Sequence, residues 1–293
     1  VRFDTTGKVS LDHIYTQPDP RAYFTVLRTL DYCVPQLAKP YFAKLVKEYR
    51  EDHRVAVPKV VDIGCSYGIN AALLKYDVSM DELYARYGDE AVAGLAREQL
   101  LARDRELSRA RRPAHPTRVV GLDASENALS YAREAGFLDD TVHADLESGD
   151  PTPDQRARLA GADLVFSTGC IGYVTERTLT RVVRAQGGHL PWMAHFVLRM
   201  FPFDPVERAL AALGYETTRV DGMFKQRRFA SPEEQTLVLD TMSAAGVDAT
   251  GLEAEGWLYA QLYVSRPYGP AGHARPLGRT RSLDRHDPNR EQL

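Results

Sequence analysis

The stretch Val60–Leu74, VVDIGCSYGINAALL, constrains this chain more than any other. An apolar run rich in β-branched residues feeds a turn carrying Gly64 and Gly68. The turn feeds a helix of small and apolar residues. A strand with no polar alternation is buried on both faces, which calls for a parallel sheet sandwiched by helices. The carboxyl edge of such a strand is where open α/β sheets take their ligands.

The rest of the chain repeats the pattern. VPKVVDIG, TRVVGLDAS, a short segment around Val142, ADLVFSTGC and HLPWMAHFVLRM read as strands, with helical periodicity between them. DPVERALAALGYETTRV reads as a helix stopped at Gly214 and followed by a strand, and WLYAQLYVSRP as the last strand. The fold class is therefore α/β, a Rossmann-like sheet with helices on both faces. Residues 1–54 read as a helical cap of two helices broken near Pro35, and 55–267 as the sheet domain. Within it, the helical run near 75–113 exceeds what one strand–helix–strand unit needs and reads as an insertion after the first strand. Residues 268–293 hold few apolar groups and read as a flexible tail.

With 293 residues, 44% of them hydrophobic, there is material for one large α/β core with extensions. The net charge of −3 does not favour a nucleic-acid partner. Cys33, Cys65 and Cys170 form no CxxC pair, so neither a disulfide framework nor a zinc knuckle is expected. The first twenty residues have no signal-peptide core, and no apolar run nears the ~20 residues that span a bilayer. A cytoplasmic protein is the expectation. Periodicity says nothing of oligomeric state.

The turn itself excludes two ligands. GxxxxGK followed by Ser or Thr is absent, so it is no triphosphate loop. From Gly64 the chain reads GCSYGI, which lacks the second glycine that lets pyrophosphate approach the backbone. Asp62 adds a carboxylate that repels phosphate and attracts a cation. Asp62-x-Gly64-x-Ser66-x-Gly68 resembles motif I of the class I S-adenosylmethionine-dependent methyltransferases, with Ser66 in place of the middle glycine. Asp123, ending VVGLD, falls where that family holds the cofactor ribose, and Asp145 with Leu146 where it holds adenine. The resemblance covers roughly Val57–Pro267 and implies S-adenosyl-L-methionine as cofactor. It implies a transferase acting on an acceptor shaped partly by the N-terminal helices. Asp123 lies much further from Asp62 than the ~20 residues of simple nucleotide folds, which the helical insertion accounts for.

The acceptor is less legible. STGCIGYVT departs from the DPPY and NPPY patterns of enzymes that methylate amide-like nitrogens. Tyr173 within it, and His195 in the fifth strand, are candidate catalytic groups. Tyr15, Tyr23 and Tyr32 suit a pocket lid. Arg199, Arg227 and Arg228 suit a carboxylate clamp, since guanidinium pairs with carboxylate through two parallel bonds. These point to a small polar metabolite, methylated on oxygen and bearing a carboxylate, with no metal needed. A small-molecule N-methyltransferase, a nucleotide-dependent oxidoreductase and a non-catalytic methyltransferase-like subunit stand as alternatives.

Overall fold

In the computed structural model, residues 2–4, 6–111 and 116–269 are described. The strands are β1 Lys59–Ile63, β2 Arg118–Asp123, β3 Asp140–His143, β4 Leu164–Thr168, β5 Trp192–Leu198, β6 Tyr215–Arg219, β7 Phe224–Arg228 and β8 Trp257–Pro267. They form one sheet in the order β3–β2–β1–β4–β5–β8–β6, with β7 also paired to β8. The first five are mutually parallel and β8 runs antiparallel to β5. Strand order reverses beside β1, between β2 and β4, which opens a crevice at their carboxyl ends. This is the Rossmann-like α/β architecture expected from the apolar runs.

The chain opens with a one-turn α1 (Asp12–Tyr15), α2 (Arg21–Thr29) and α3 (Val34–His53). Pro35 sits in the first turn of α3, where the missing N–H costs nothing. On one sheet face α3 packs beside α4 (Ile69–Tyr76), and Phe42 stacks on Phe166 of β4 at 4.2 Å. Each such buried apolar side chain stabilises by about 1.5–3 kcal/mol. The stretch after α4 holds α5 (Met80–Gly88), α6 (Glu90–Ala93) and α7 (Arg97–Ala110). Buried Asp104 of α7 accepts hydrogen bonds from Arg86 Nε at 2.7 Å and from the Tyr87 and Tyr131 hydroxyls at 2.6 Å. Those bonds fasten the extra helices to α8 (Glu126–Glu134). After α9 (Pro153–Leu159), the helices α10 (Glu176–Arg184) and α11 (Asp204–Ala211) cover the other face. There Leu179, Val182 and Leu210 meet Val165 and Val197.

Two elements differ from expectation. MFKQRRF falls between the two last strands expected from the sequence, yet Phe224–Arg228 is itself strand β7, hydrogen-bonded to the first half of β8. A bulge between Lys225 and Arg227 breaks the alternation, so Gln226 and Arg227 are both buried. Second, α12 (Pro232–Ala244), capped by Ser231 Oγ accepting from Glu234 N at 3.2 Å, connects β7 to β8. The expected tail, from residue 270 onward, lies outside the described residues.

Candidate functional site

At the crevice, Gly64 and Ser66 both adopt left-handed backbone, with φ of 66° and 49°. For Ser66 that conformation needs support. Its N–H donates to Asp123 Oδ2 at 2.8 Å, and Ser125 N donates to Asp123 Oδ1 at 2.9 Å. Asp123 thus latches the turn to the end of β2. Burial pushes its carboxyl up, opposed by those N–H groups. Each carboxylate oxygen keeps a further lone pair for a ligand hydroxyl.

Behind the turn, Asn70 Nδ2 donates to Asp62 Oδ1 at 3.0 Å and to Thr168 Oγ1 at 3.2 Å. Burial pushes the Asp62 carboxyl up to about 7. Asp62 Oδ2, Asn70 Oδ1 and Ser66 Oγ are buried without a hydrogen-bond partner among the described residues. Buried polar atoms are normally paired, so three orphans in and beside one turn suit a polar ligand.

Above this floor lies a cavity of about 740 Å³. Gly64, Ser66, Asn70, Asp123 and Thr168 line its base, and Tyr15, Tyr23, Tyr32 and Tyr173 its upper walls. Gln226 and Arg227 of the β7 bulge close one side. The roof is a strap of residues 2–4 and 6–10, held as a short hairpin by the Phe3–Val9 bridge. Val9 N donates to Glu234 Oε1 of α12 at 2.7 Å, and the Tyr173 hydroxyl donates to Asp4 Oδ2. Tyr67 Oη donates to the Ile14 and Gln17 carbonyls, and Ser125 Oγ to that of Tyr15, so α1 is tied directly to the floor. Burial raises the Tyr15 hydroxyl to about 12 and holds those of Tyr23, Tyr32 and Tyr173 well above the phenol range.

The structure brings Gly64, Ser66, Asp123, Tyr15, Tyr23, Tyr32, Tyr173 and Arg227 to this cavity. Gly68 instead starts α4 and packs against Ala132 and Phe137. Asp62 stands one layer back, reached through Asn70. Asp145 is exposed beyond β3, its Oδ1 accepting from Glu147 N at 2.9 Å, and Leu146 is buried in the core. His195 corrects the expectation of a cavity base. It pairs in register with Ser167 and Tyr263 in mid-sheet, fully buried, with Nδ1 2.8 Å from Ser167 Oγ. Burial pushes its imidazole down to about 3, so it stays neutral.

The arginine clamp is corrected as well. Arg227 is already held by Glu234 through two bonds of 2.9 and 2.7 Å. Arg228 points outward, donating to Asp31 at 2.6 Å and lying over the Trp257 ring. Arg199 pairs with Glu253 and the Asp248 carbonyl, away from the residues that line the cavity. Sequence reading missed Lys8, Asn70 and Gln226. Asn70 leaves a faint mark, a polar residue in an otherwise apolar helix start. Lys8 and Gln226 leave none, because distant elements bury them.

The chain matches no protein-family model and no curated protein. Solved structures with a related sheet do appear. Magnesium protoporphyrin IX methyltransferase from Synechocystis, with bound SAM, shares 11% identity over 78% of this chain and 79% of its own, at a TM-score of 0.39. A TehB-like SAM-dependent methyltransferase from Corynebacterium glutamicum shares 13% over 75% and 87%, at 0.37. The cyclase SpnF shares 13% over 78% and 81%, at 0.36. At such identities and overlaps these likenesses assign no activity to this chain, because one sheet serves many chemistries.

Proposed function

We propose that the chain transfers a methyl group from S-adenosyl-L-methionine to a small polar metabolite held in the cavity between the glycine turn and the N-terminal strap. The single observation that carries this reading is the left-handed Gly64–Ser66 turn latched by Asp123, opening into a tyrosine-walled cavity. In this reading 1–54 is the cap, 55–267 the transferase domain and 75–113 its insertion.

The residues present suit the cofactor. Asp123 would take the ribose hydroxyls. Ser66 Oγ and Asn70 Oδ1, with Asp62 behind, are unsatisfied acceptors suited to an ammonium. The same carboxylates disfavour a pyrophosphate, which weighs against a dinucleotide oxidoreductase. Asp145 and Leu146 remain candidates for the adenine edge. When bound, the cofactor supplies an electrophilic methyl on a sulfonium sulfur.

This chain's part is alignment and exclusion of water, which alone supply much of a rate. The cavity tyrosines stay protonated at neutral pH and orient rather than abstract. With His195 outside the cavity, an acceptor oxygen that arrives already ionised fits best, because it asks for no base. That favours O-methylation of a carboxylate-bearing compound. No helix among the described residues is long and apolar enough to cross a membrane. Cys33, Cys65 and Cys170 form no disulfide with one another, which fits a reducing cytoplasm.

Calorimetry with S-adenosylmethionine, S-adenosylhomocysteine, NAD and NADP tests the cofactor. Binding of the adenosyl-sulfur pair is expected, and tight dinucleotide binding without it would overturn the reading. A metabolite panel with labelled S-adenosylmethionine then locates the methyl. Transfer to amines alone would reject the oxygen assignment.

A further inference from the structure

Lys8 is the cavity's least satisfied charge. It is only 7% exposed, yet its side chain makes no ion pair and no hydrogen bond to the described residues. Its one described contact is with the face of the Tyr173 ring, 5.0 Å from Nζ to the centroid. A buried ammonium has three donors to satisfy, and a ring face satisfies them poorly. The nearby carboxylates are engaged elsewhere. Asp4 accepts from Thr6, from the Lys8 backbone N–H and from Tyr173. Glu234 accepts from Arg227, Val9 and Ala230.

We infer that Lys8 reads a negative charge on the acceptor, and that the molecule taken into the cavity is a small organic carboxylate. The inference deepens the methyl-transfer reading and rests on it for the cavity's other occupant. A monoanion matches the charges present. Three cations line the cavity: Arg227 is neutralised by Glu234 and Arg2 is solvent-exposed, which leaves Lys8 as the buried cation without a described ion pair, while Asp4, Asp12 and Asp123 on the same walls would oppose a dianionic phosphate. Gln226 Oε1, buried without a partner among the described residues, adds an acceptor for a hydroxyl or amine on the same molecule. The tyrosine walls suit a ring or short apolar body.

Lys8 is also a titrating group. Burial, with Arg227 as a second cause, pushes its ammonium down to about 8, against the pull of Asp4 and Glu234. Those three groups face it from β7, its own strap and α12, and Tyr173 covers it from the loop after β4. The charge needed for anion recognition is present below pH 8 and lost above it. A bound carboxylate holds the charged form and moves that loss upward.

The test uses the full chain saturated with S-adenosylhomocysteine. Benzoate and 4-hydroxybenzoate are titrated against their amides, benzamide and 4-hydroxybenzamide, in wild type, Lys8→Met and Lys8→Arg. Wild type is expected to prefer each carboxylate about tenfold at pH 7, the scale of one charged hydrogen bond. Lys8→Met should abolish the preference, and Lys8→Arg should keep it. Raising the pH to 9.5, an assay condition of about 1.5 units above the Lys8 value, should erase it in wild type but not in Lys8→Arg. Thermal melts establish that each variant is folded. No carboxylate preference in wild type, or a preference that survives Lys8→Met, would overturn the inference. Failure of S-adenosylhomocysteine to bind would instead overturn the methyl-transfer reading. The carboxylate-to-amide ratio measured without it would still decide the role of Lys8.

Discussion

The cavity's floor and roof are built on opposite plans. The floor is local and backbone-made. Its central turn falls within seven residues of β1 and is held by main-chain N–H groups donating to a single carboxylate. The roof is made of side chains gathered from across the chain. Residues 4, 8 and 9 meet Tyr173, Arg227 and Glu234 there. The difference separates a part whose geometry is common to many ligands from a part whose chemistry selects one.

The largest expected effect breaks the roof. Arg227→Met leaves Glu234 buried beside fewer donors, and losing one partner of a buried ion pair costs about 3–5 kcal/mol. Urea unfolding measures it. A loss below about 1 kcal/mol would show that β7 and α12 hold together without the pair. Breaking the floor should cost binding rather than fold. Asp123→Asn keeps the shape but removes the charge, so S-adenosylmethionine affinity should drop by about 1.5–3 kcal/mol in calorimetry. Unchanged affinity in a folded protein would remove Asp123 from the site.

A third experiment sharpens the contrast through pH. Folding raises the Asp62 carboxyl from its ordinary 3.8 to about 7, so between those values the folded chain keeps a proton that the unfolded chain has lost. Stability should therefore fall as pH rises across that window, and Asp62→Asn should flatten the fall. Urea midpoints between pH 4 and pH 8, on an order-of-magnitude grid of one unit, measure the slope. Parallel slopes in the two proteins would mean that Asp62 is ionised throughout. The smallest effect is Tyr173→Phe, which removes one hydrogen bond to Asp4 worth about 0.5–1.5 kcal/mol. Amide exchange in the strap should quicken by up to about tenfold while cofactor affinity stays put. Equal exchange rates would show that the bonds from α12 to Val9 and Thr6 hold the roof without Tyr173.

The same division explains what the sequence disclosed. β1, β2, β4 and β5 are buried on both sides, so each reads as an apolar run. β7 stayed hidden because FKQRR looks like a solvated loop, and only a bulge and a distant glutamate make its arginine a core residue. Gly64, Ser66 and Asp123 were legible since a turn after a strand is a short-range pattern. His195 misled for the opposite reason. A histidine within a strand invites a catalytic reading by residue type, while strand register sets it in mid-sheet between Ser167 and Tyr263. Lys8 and Gln226 had no signal, because their burial depends on contacts that no short window contains.

The Val9–Glu234 bond has a consequence for how the molecule is made. Its partners are separated by 225 positions. At ~5–20 residues per second, a ribosome takes on the order of 10–45 s to reach the second after making the first. Throughout that interval the opening hairpin has no α12 to rest on, and before it ends β1 to β5 have all been made. The sheet can therefore assemble during translation with its crevice uncovered, and the lysine-bearing strap is secured only after most of the chain has emerged.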